Sequence, residues 1–377
     1  MSTIFSIPTT VTVSDSRAMA LDAVAAAMPP GTWAQVTPAN DQNAFLGVRG
    51  ASGVGGSGTM LHYANNCAWN RLNRCIEIVG ADHGYGATQR YVRYDTATNQ
   101  FILVNVGGDG SDSGLGPGHE FAGLAVNPHN GDVYYRHYGS YQLGFYTVTM
   151  AALNGVSFST SVRNTPATLT NVNTGTAWWS GAFDGAGSHG CLILFNSGNA
   201  NGSANDGHMM AYDPLANSWF YNQTGMAPFY TTHGTATYHE VCAYSPVKNC
   251  MVYGGGHSEY KRLVRLNSDR SRTEMPTLPG GDNVHVGIQH GNLVCDPVTG
   301  NFLLLSAGQL WELNPSGSGA WTQQTGSRVP PSDVGIPGPP AVRVDGVVSC
   351  AIPEHGVVAY IKQSSPSGGT FYLYKHA

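Results

Sequence analysis

A chain of 377 residues with 41% hydrophobic and only 11% charged residues has the apolar mass for a large core but too little charge for a helical enzyme. Its 49 glycines, with abundant Ser, Thr and Asn, suit an all-β protein with many tight turns. A net charge of −5 without any Lys/Arg run excludes the clustered positive charge of a nucleic-acid or anionic-membrane footprint.

The N-terminus shows neither a basic segment followed by an apolar one nor, anywhere downstream, an apolar run of the roughly 18 residues a membrane span needs. Cytoplasmic synthesis is expected, with retention there or release by a route such as assembly into a virion. Ser14, Asp15 and Ser16 can cap a helix over residues 17–28 that stops at Pro29-Pro30. Such a helix packs on the body of the protein or serves as an attachment or oligomerisation element. Residues 1–31 are therefore assigned to an N-terminal arm. Next, TWAQV (32–36) reads as a strand like WTQQ (321–324).

From residue 65 onward one pattern recurs: a strand of small residues, a turn, an apolar strand, a Gly-rich loop, then an aromatic strand. The first strand and turn appear as NNCAWNRLNR, AGLAVNPHNG, SGAFDGAGSH, VCAYSPVKN, NLVCDPVTGN and VSCAIPEHG. The apolar strand follows each time, as CIEIV, DVYYR, CLILF, CMVYG, FLLLS and VVAYI. Turn positions Asn70, Asn127, Asp184, Ser245, Asp296 and Pro353 recur at intervals of 51 to 61 residues. Each unit holds about four short strands, the arrangement of radial propeller blades. The sixth unit ends after three strands, at Ala377, and the segment 32–38 supplies its fourth. The expectation is an all-β, six-bladed β-propeller over residues 32–377, closed by an N-terminal strand that removes the unpaired edges.

Seven cysteines include two pairs with one spacing, Cys67/Cys75 and Cys242/Cys250, each flanking a predicted hairpin turn. Two readings stand: cross-strand disulfides, or reduced thiols packed as small hydrophobes. No CxxC pair is present, and no metal site is assigned from cysteine spacing.

The stretch CMVYGGGHSEYKRLVRLN (250–267) resembles the Kelch repeat of galactose-oxidase-type propellers, in which a Gly pair ends the second strand. The resemblance implies a propeller fold. The oxidase's copper site needs a Cys–Tyr crosslink, a second Tyr and two His, and no stretch here matches that motif. A second resemblance, in residue types and face rather than in a motif, is to polysaccharide lyases of the ulvan-lyase type, which use His, Tyr and Arg across a propeller face.

In a propeller, the loop entering the first strand and the loop between the second and third strands emerge on one face, where ligands usually bind. Those loops carry His62, His119, Glu120, Trp178, His239, Glu240, His285, His290, His83, Tyr85, His137, His208, His257 and Tyr260, so nine of the 14 histidines point to one mouth. Arg90 and Arg262 follow two of the loops and can neutralise a carboxylate. Convergent His residues also offer donors to a divalent ion, although no cofactor is assigned. Asp109 and Asp112 lie in GGDGSDSG (107–114), which reads as a solvated Gly turn because it lacks the full acidic spacing of a Ca²⁺ loop. Two classes of function follow. One is a carbohydrate-recognising module, on a phage virion or another surface, that binds bacterial polysaccharide and meets other virion proteins through the N-terminal arm. The other is a polysaccharide lyase or other glycan-cleaving enzyme with His119, His239, His257 or Tyr260 as base.

Overall fold

The computed structural model describes residues 20–47, 59–62, 64–80, 90–106, 123–136, 144–151, 157–164, 175–196, 208–223, 240–255, 261–288, 290–336, 346–365 and 367–377. The protein is a β-propeller, mainly β with few helices. Helix α1 (Ala20–Ala27), strand β1 (Thr32–Gln35) and helix α2 (Gln42–Leu46) come first. They precede four strands, β2 (Ala68–Asn70), β3 (Cys75–Gly80), β4 (Arg90–Asp95) and β5 (Gln100–Val106), that pair in sequence order as one antiparallel sheet. The next sheet holds β6 (Leu124–Val126), β7 (Val133–Arg136), β8 (Gly144–Ala151) and β9 (Ser157–Asn164). A third holds β10 (Thr176–Trp179), β11 (Cys191–Asn196), β12 (His208–Asp213) and β13 (Ser218–Gln223). A fourth holds β14 (Glu240–Ser245), β15 (Cys250–Gly255), β16 (Leu263–Asn267) and β17 (Arg272–Glu274). A fifth holds β18 (Gly291–Cys295), β19 (Phe302–Ser306), β20 (Gln309–Asn314) and β21 (Ala320–Gln323). In the last sheet β22 (Gly346–Ile352), β23 (Val357–Gln363) and β24 (Gly369–Lys375) are followed by β1 as fourth strand.

Strand β1 runs antiparallel to β24 in the register Thr32↔Lys375, Trp33↔Tyr374, Ala34↔Leu373 and Gln35↔Tyr372. The backbone bonds Gly31 N to Lys375 O (2.7 Å) and Val36 N to Phe371 O (2.9 Å) extend the pairing at both ends. The Trp33 ring stacks on Tyr374 at 4.6 Å, lies 5.1 Å from Tyr360, and its Nε1 donates to Arg328 O at 3.1 Å. First strands of successive sheets are neighbours, and β22 lies beside β2, where Asn66 and Ser349 form a parallel bridge.

The turns between first and second strands follow from their residues. In Asn127-Pro128-His129-Asn130-Gly131, the Asn127 side chain accepts from His129 N at 2.9 Å, and Gly131 takes φ +77°, closing the loop onto Asn127 O at 2.9 Å. Asp296 repeats the device, accepting from Thr299 N at 2.8 Å, with Gly300 at φ +71°. These turns also tie neighbouring sheets together: Asn70 Nδ2 donates to Gly131 O (3.0 Å) and Ser245 Oγ to Gly300 O (2.8 Å). Outer turns use Asn in left-handed conformation, Asn99 at φ 57° and Asn217 at φ 51°, each accepting from a Tyr hydroxyl, Tyr94 at 2.6 Å and Tyr212 at 2.7 Å.

The core lies between adjacent sheets, with the second strands almost wholly buried. Among the described residues, a charged pair lies inside it. Arg93 grips Glu77 through both carboxylate oxygens (Nε 3.0 Å, Nη2 2.9 Å), and Tyr91 OH (2.7 Å) and Asn70 Nδ2 (3.1 Å) also donate to that carboxylate. Four donors on a buried anion satisfy it and offset its desolvation.

One expectation lies partly outside the described residues, and one of two open readings is decided. Helix α1 spans Ala20–Ala27, and the residues expected to cap and begin it lie outside the described residues. It buries Leu21 and Ala25 in the same cluster as Ile352 and Val357, while Asp22 pairs with Arg74 (2.5 Å) and His355 (2.8 Å). The disulfide alternative is overturned by the register, which sets Asn70 opposite Cys75 and Ser245 opposite Cys250, three residues beyond Cys67 and Cys242. All seven cysteines are buried thiols, and burial pushes Cys250 up to about 11 and Cys191 and Cys295 up to about 12.

Candidate functional site

One end of the first strands gathers the polar side chains that describe a site. Gly80, closing β3, lies so near Met60 O that a Cβ there would stand 2.1 Å away, and Gly346, opening β22, meets Leu61 in the same manner. Residues 60–62 thus sit at the entrance to two sheets and carry His62, 3% exposed, into it. In the fourth sheet Glu240, also 3% exposed, opens β14 opposite Gly255. Gly255 takes φ +81°, and a Cβ on it would stand 2.9 Å from Gly287 N; Gly254 takes φ +145° against Arg262 O. The Gly pair in the sequence is thereby explained: one residue frees the backbone to turn and the other admits the 285–287 segment of the neighbouring sheet.

That segment bears His285 and His290, 2% and 7% exposed, their rings 5.2 Å apart and tilted by 50°. Val284, Val286 and Ile288 alternate into the core, which turns His285 to the other side of the segment. Ser306, at the end of β19, fixes both histidines by their backbones: its Oγ accepts from His285 N at 3.0 Å and donates to His290 O at 2.8 Å. Gly287 O accepts from His290 N (3.0 Å) and Gly291 N (2.7 Å), a tight turn between the two. His285 Nε2 lies 2.6 Å from Asp282 O, an acceptor, so this nitrogen carries the proton and Nδ1 presents a lone pair. Nδ1 is buried and has no hydrogen-bond partner. Such an atom costs about 1–3 kcal/mol in a folded protein unless water or a ligand meets it, which makes it a candidate for such a contact.

A polar network that sequence reasoning missed lies along the first strands. Asn65 Oδ1 accepts from Leu293 N (3.1 Å), Asn292 Nδ2 donates to Val347 O (3.0 Å) and to Asn65 O, and Ser349 Oγ donates to Asn292 Oδ1 (2.5 Å). It joins three sheets by side chains that are all buried. The only trace in the sequence is that Asn and Ser stand in first strands where an apolar residue is expected.

The other expected site residues divide as follows. His119, Glu120, His239, His257, Tyr260, His83 and Tyr85 lie outside the described residues, as do Asp109 and Asp112. Trp178 is 8% exposed and stacks on Tyr134 at 6.0 Å within the apolar cluster of Leu192 and Tyr212. Arg90 opens β4 and donates to Ala44 O (3.1 Å) and Phe45 O (3.0 Å), closing the carbonyl end of α2, and burial lowers its pKa. Arg262 is paired with Glu274 across the third and fourth strands of its sheet. The structure therefore brings His62, Glu240, His285 and His290 to one end, and engages Arg90 and Arg262 in the scaffold. His129, His189 and His355 lie at the opposite turns, where His189 meets Asp213 at 2.9 Å. Among the described residues no group of three or more His, Cys, Asp or Glu is set to hold a metal ion. No described helix is long and apolar enough to cross a membrane.

No protein-family model matches the chain, and no curated protein matches it. Among solved structures it is similar to a protein of unknown function from Bacteroides thetaiotaomicron VPI-5482, with a TM-score of 0.53 at 12% identity over 91% of this chain and 76% of that one. It is also similar to an auxiliary nutrient binding protein from the same organism, with a TM-score of 0.50 at 11% identity over 90% of this chain and 75% of that one. An alpha-L-arabinanase of Penicillium chrysogenum complexed with arabinobiose gives 0.48 at 10% identity over 83% and 94%. At these identities the likeness is one of fold.

Proposed function

We propose that this protein is a carbohydrate-recognising propeller module that binds glycans at the end of the first strands bearing His62, Glu240, His285 and His290. The observation that carries the reading is the burial of neutral polar side chains together with one carboxylate at the entrances of three sheets. Imidazole and carboxylate groups held in fixed positions bond to hydroxyls by donating and accepting, which is what a sugar presents. We read the six sheets as six Kelch-type blades of one ring closed by β1. The β1–β24 register, the neighbouring β2 and β22, and the Gly pair at 254–255 support this.

The lyase alternative asks for a cation at the mouth to stabilise an enolate. The two arginines assigned that role, Arg90 and Arg262, are engaged with α2 carbonyls and with Glu274, which favours binding over cleavage. The test is a panel of bacterial polysaccharides and defined oligosaccharides applied to the full chain by calorimetry. Binding is expected, weakened at least tenfold by Glu240→Gln, with no rise in unsaturated-sugar absorbance from uronate-containing members. Silence across the panel would refute the reading, and a rise in absorbance would restore the enzyme.

A further inference from the structure

We propose that His285 and His290 form a two-imidazole site for a divalent transition-metal ion of the zinc type. This deepens the proposed binding face and rests on it only for the ion's use, not for its binding.

The argument is geometric. An imidazole nitrogen sits about 2.0–2.1 Å from Zn²⁺, which places the ring centre about 3.2 Å from the metal, and two rings at a tetrahedral angle then have centres about 5.2 Å apart. The separation of His285 and His290 is 5.2 Å, with the planes tilted by 50° rather than stacked. The protonation state is prepared as well. Metal-bound histidines hold the other ring nitrogen with a hydrogen bond to a carbonyl or carboxylate, which fixes the tautomer. His285 Nε2 does this with Asp282 O at 2.6 Å, leaving Nδ1 as a buried lone pair without a partner.

The pair is also held rigidly. Ser306 Oγ bonds to the backbone of both residues, Gly287 O accepts from His290 N and Gly291 N, and Gly255 packs on the segment between them. Preorganised ligands lose little freedom on binding an ion. Two neutral imidazoles select zinc, copper or nickel over calcium and magnesium, which take oxygen ligands. With only two protein donors, the remaining positions fall to water and to oxygen atoms of a bound glycan. Glu240 opens the strand next to the one that follows His290.

The test uses the full chain stripped with a chelator and titrated with Zn²⁺ by calorimetry at neutral pH. One equivalent should bind, and His285→Gln and His290→Gln should each weaken it at least tenfold. Unchanged Zn²⁺ binding in both folded variants, or no one-to-one binding by the natural chain, would overturn the proposal. Should a variant fail to fold, crystals of the natural protein soaked in Zn²⁺ give the same answer. An anomalous peak bonded to His285 Nδ1 supports the site, and peaks elsewhere alone overturn it. Glycan binding with and without Zn²⁺ separates the two proposals: glycan binding by a protein that takes up no Zn²⁺ sinks this inference alone, whereas Zn²⁺ uptake without any glycan binding sinks the functional reading alone.

Discussion

Replacing Trp33 with Ala tests the joining of the chain's two ends. The indole makes two ring contacts, with Tyr374 at 4.6 Å and Tyr360 at 5.1 Å, and one hydrogen bond to Arg328 O at 3.1 Å. Aromatic pairs contribute about 0.5–1.5 kcal/mol each and a neutral hydrogen bond about the same. Full burial would raise the loss to roughly 3–5 kcal/mol, but Trp33 is only partly buried, so a loss of about 2–4 kcal/mol is expected. At about 2.1 cal/mol/K per residue, unfolding 377 residues carries an entropy near 0.8 kcal/mol/K, so a loss of about 3 kcal/mol lowers Tm by about 4 °C. The assay is thermal and urea unfolding of both proteins, with hydrogen exchange on β1 and β24. Exchange should quicken first at Thr32–Gln35 and its partners, because a fourth strand held by one neighbour opens before the sheet does. A variant with unchanged Tm and unchanged protection in β24 would refute the view that this strand seals the last sheet.

Two further outcomes concern charged groups. Glu77→Ala leaves the Arg93 guanidinium buried without its carboxylate, so a loss of about 3–5 kcal/mol is expected from urea midpoints, and a loss below about 1 kcal/mol would show that water reaches the pair. Burial alone would raise the Glu312 carboxyl, but hydrogen bonds from His376 and Asn301 and the charges of His376 and Arg328 outweigh it and hold the group below its ordinary range. A folded-state value below the unfolded value of about 4.3 gives stabilisation that is present above that pH and is lost as pH falls through the folded value. Below about pH 4.3 the urea midpoint should drop more steeply in the natural protein than in Glu312→Gln, and parallel curves would refute the assignment.

The repeat was legible because it is written in turn chemistry. Asn127-Pro128 and Asp296-Pro297 with Gly131 and Gly300 can do little else than turn, and they set the phase of every strand around them. The pairing of β1 with β24 followed from strand content and the missing partner of the last unit. What stayed hidden depended on contacts far apart in the chain. Helix α2 is five residues long and owes its carbonyl end to Arg90, about 45 positions later, which no local pattern announces. The arginine expected at the ligand became its cap for that reason. Cysteine spacing could not decide between disulfides and reduced thiols because equal spacing says nothing of register, and a shift of three residues separates the thiols. Trp178 was expected among the residues of the mouth, but in β10 it packs between sheets in an apolar cluster. His285 and His290 read as members of a general cluster, and their pairing depends on Ser306, in the following strand of the hairpin.

The fate of the cations at the proposed binding end gives the last prediction. Lys261 donates to Gly280 O (3.1 Å) and Gly281 O (3.0 Å), and Lys362 donates to Gly335 O (2.8 Å). Arg90 serves two carbonyls of α2 and Arg262 serves Glu274. Each of these side chains thus bonds to backbone oxygen or to a carboxylate of its own scaffold, and each would have to give up that partner to reach an anionic ligand. A polyanion held by lysines and arginines loses affinity steeply with salt because their charges are screened over about 8–10 Å at physiological ionic strength. On the proposed reading, His62, Glu240 and the His285/His290 pair would hold a glycan through short hydrogen bonds among buried groups, where screening is slight. The dissociation constant of the best glycan from the panel should therefore change by less than about twofold between roughly 0.05 and 0.5 M NaCl. A tenfold weakening over that range would mean that cations of other loops hold the ligand, and would return an acidic polysaccharide to the centre of the mechanism.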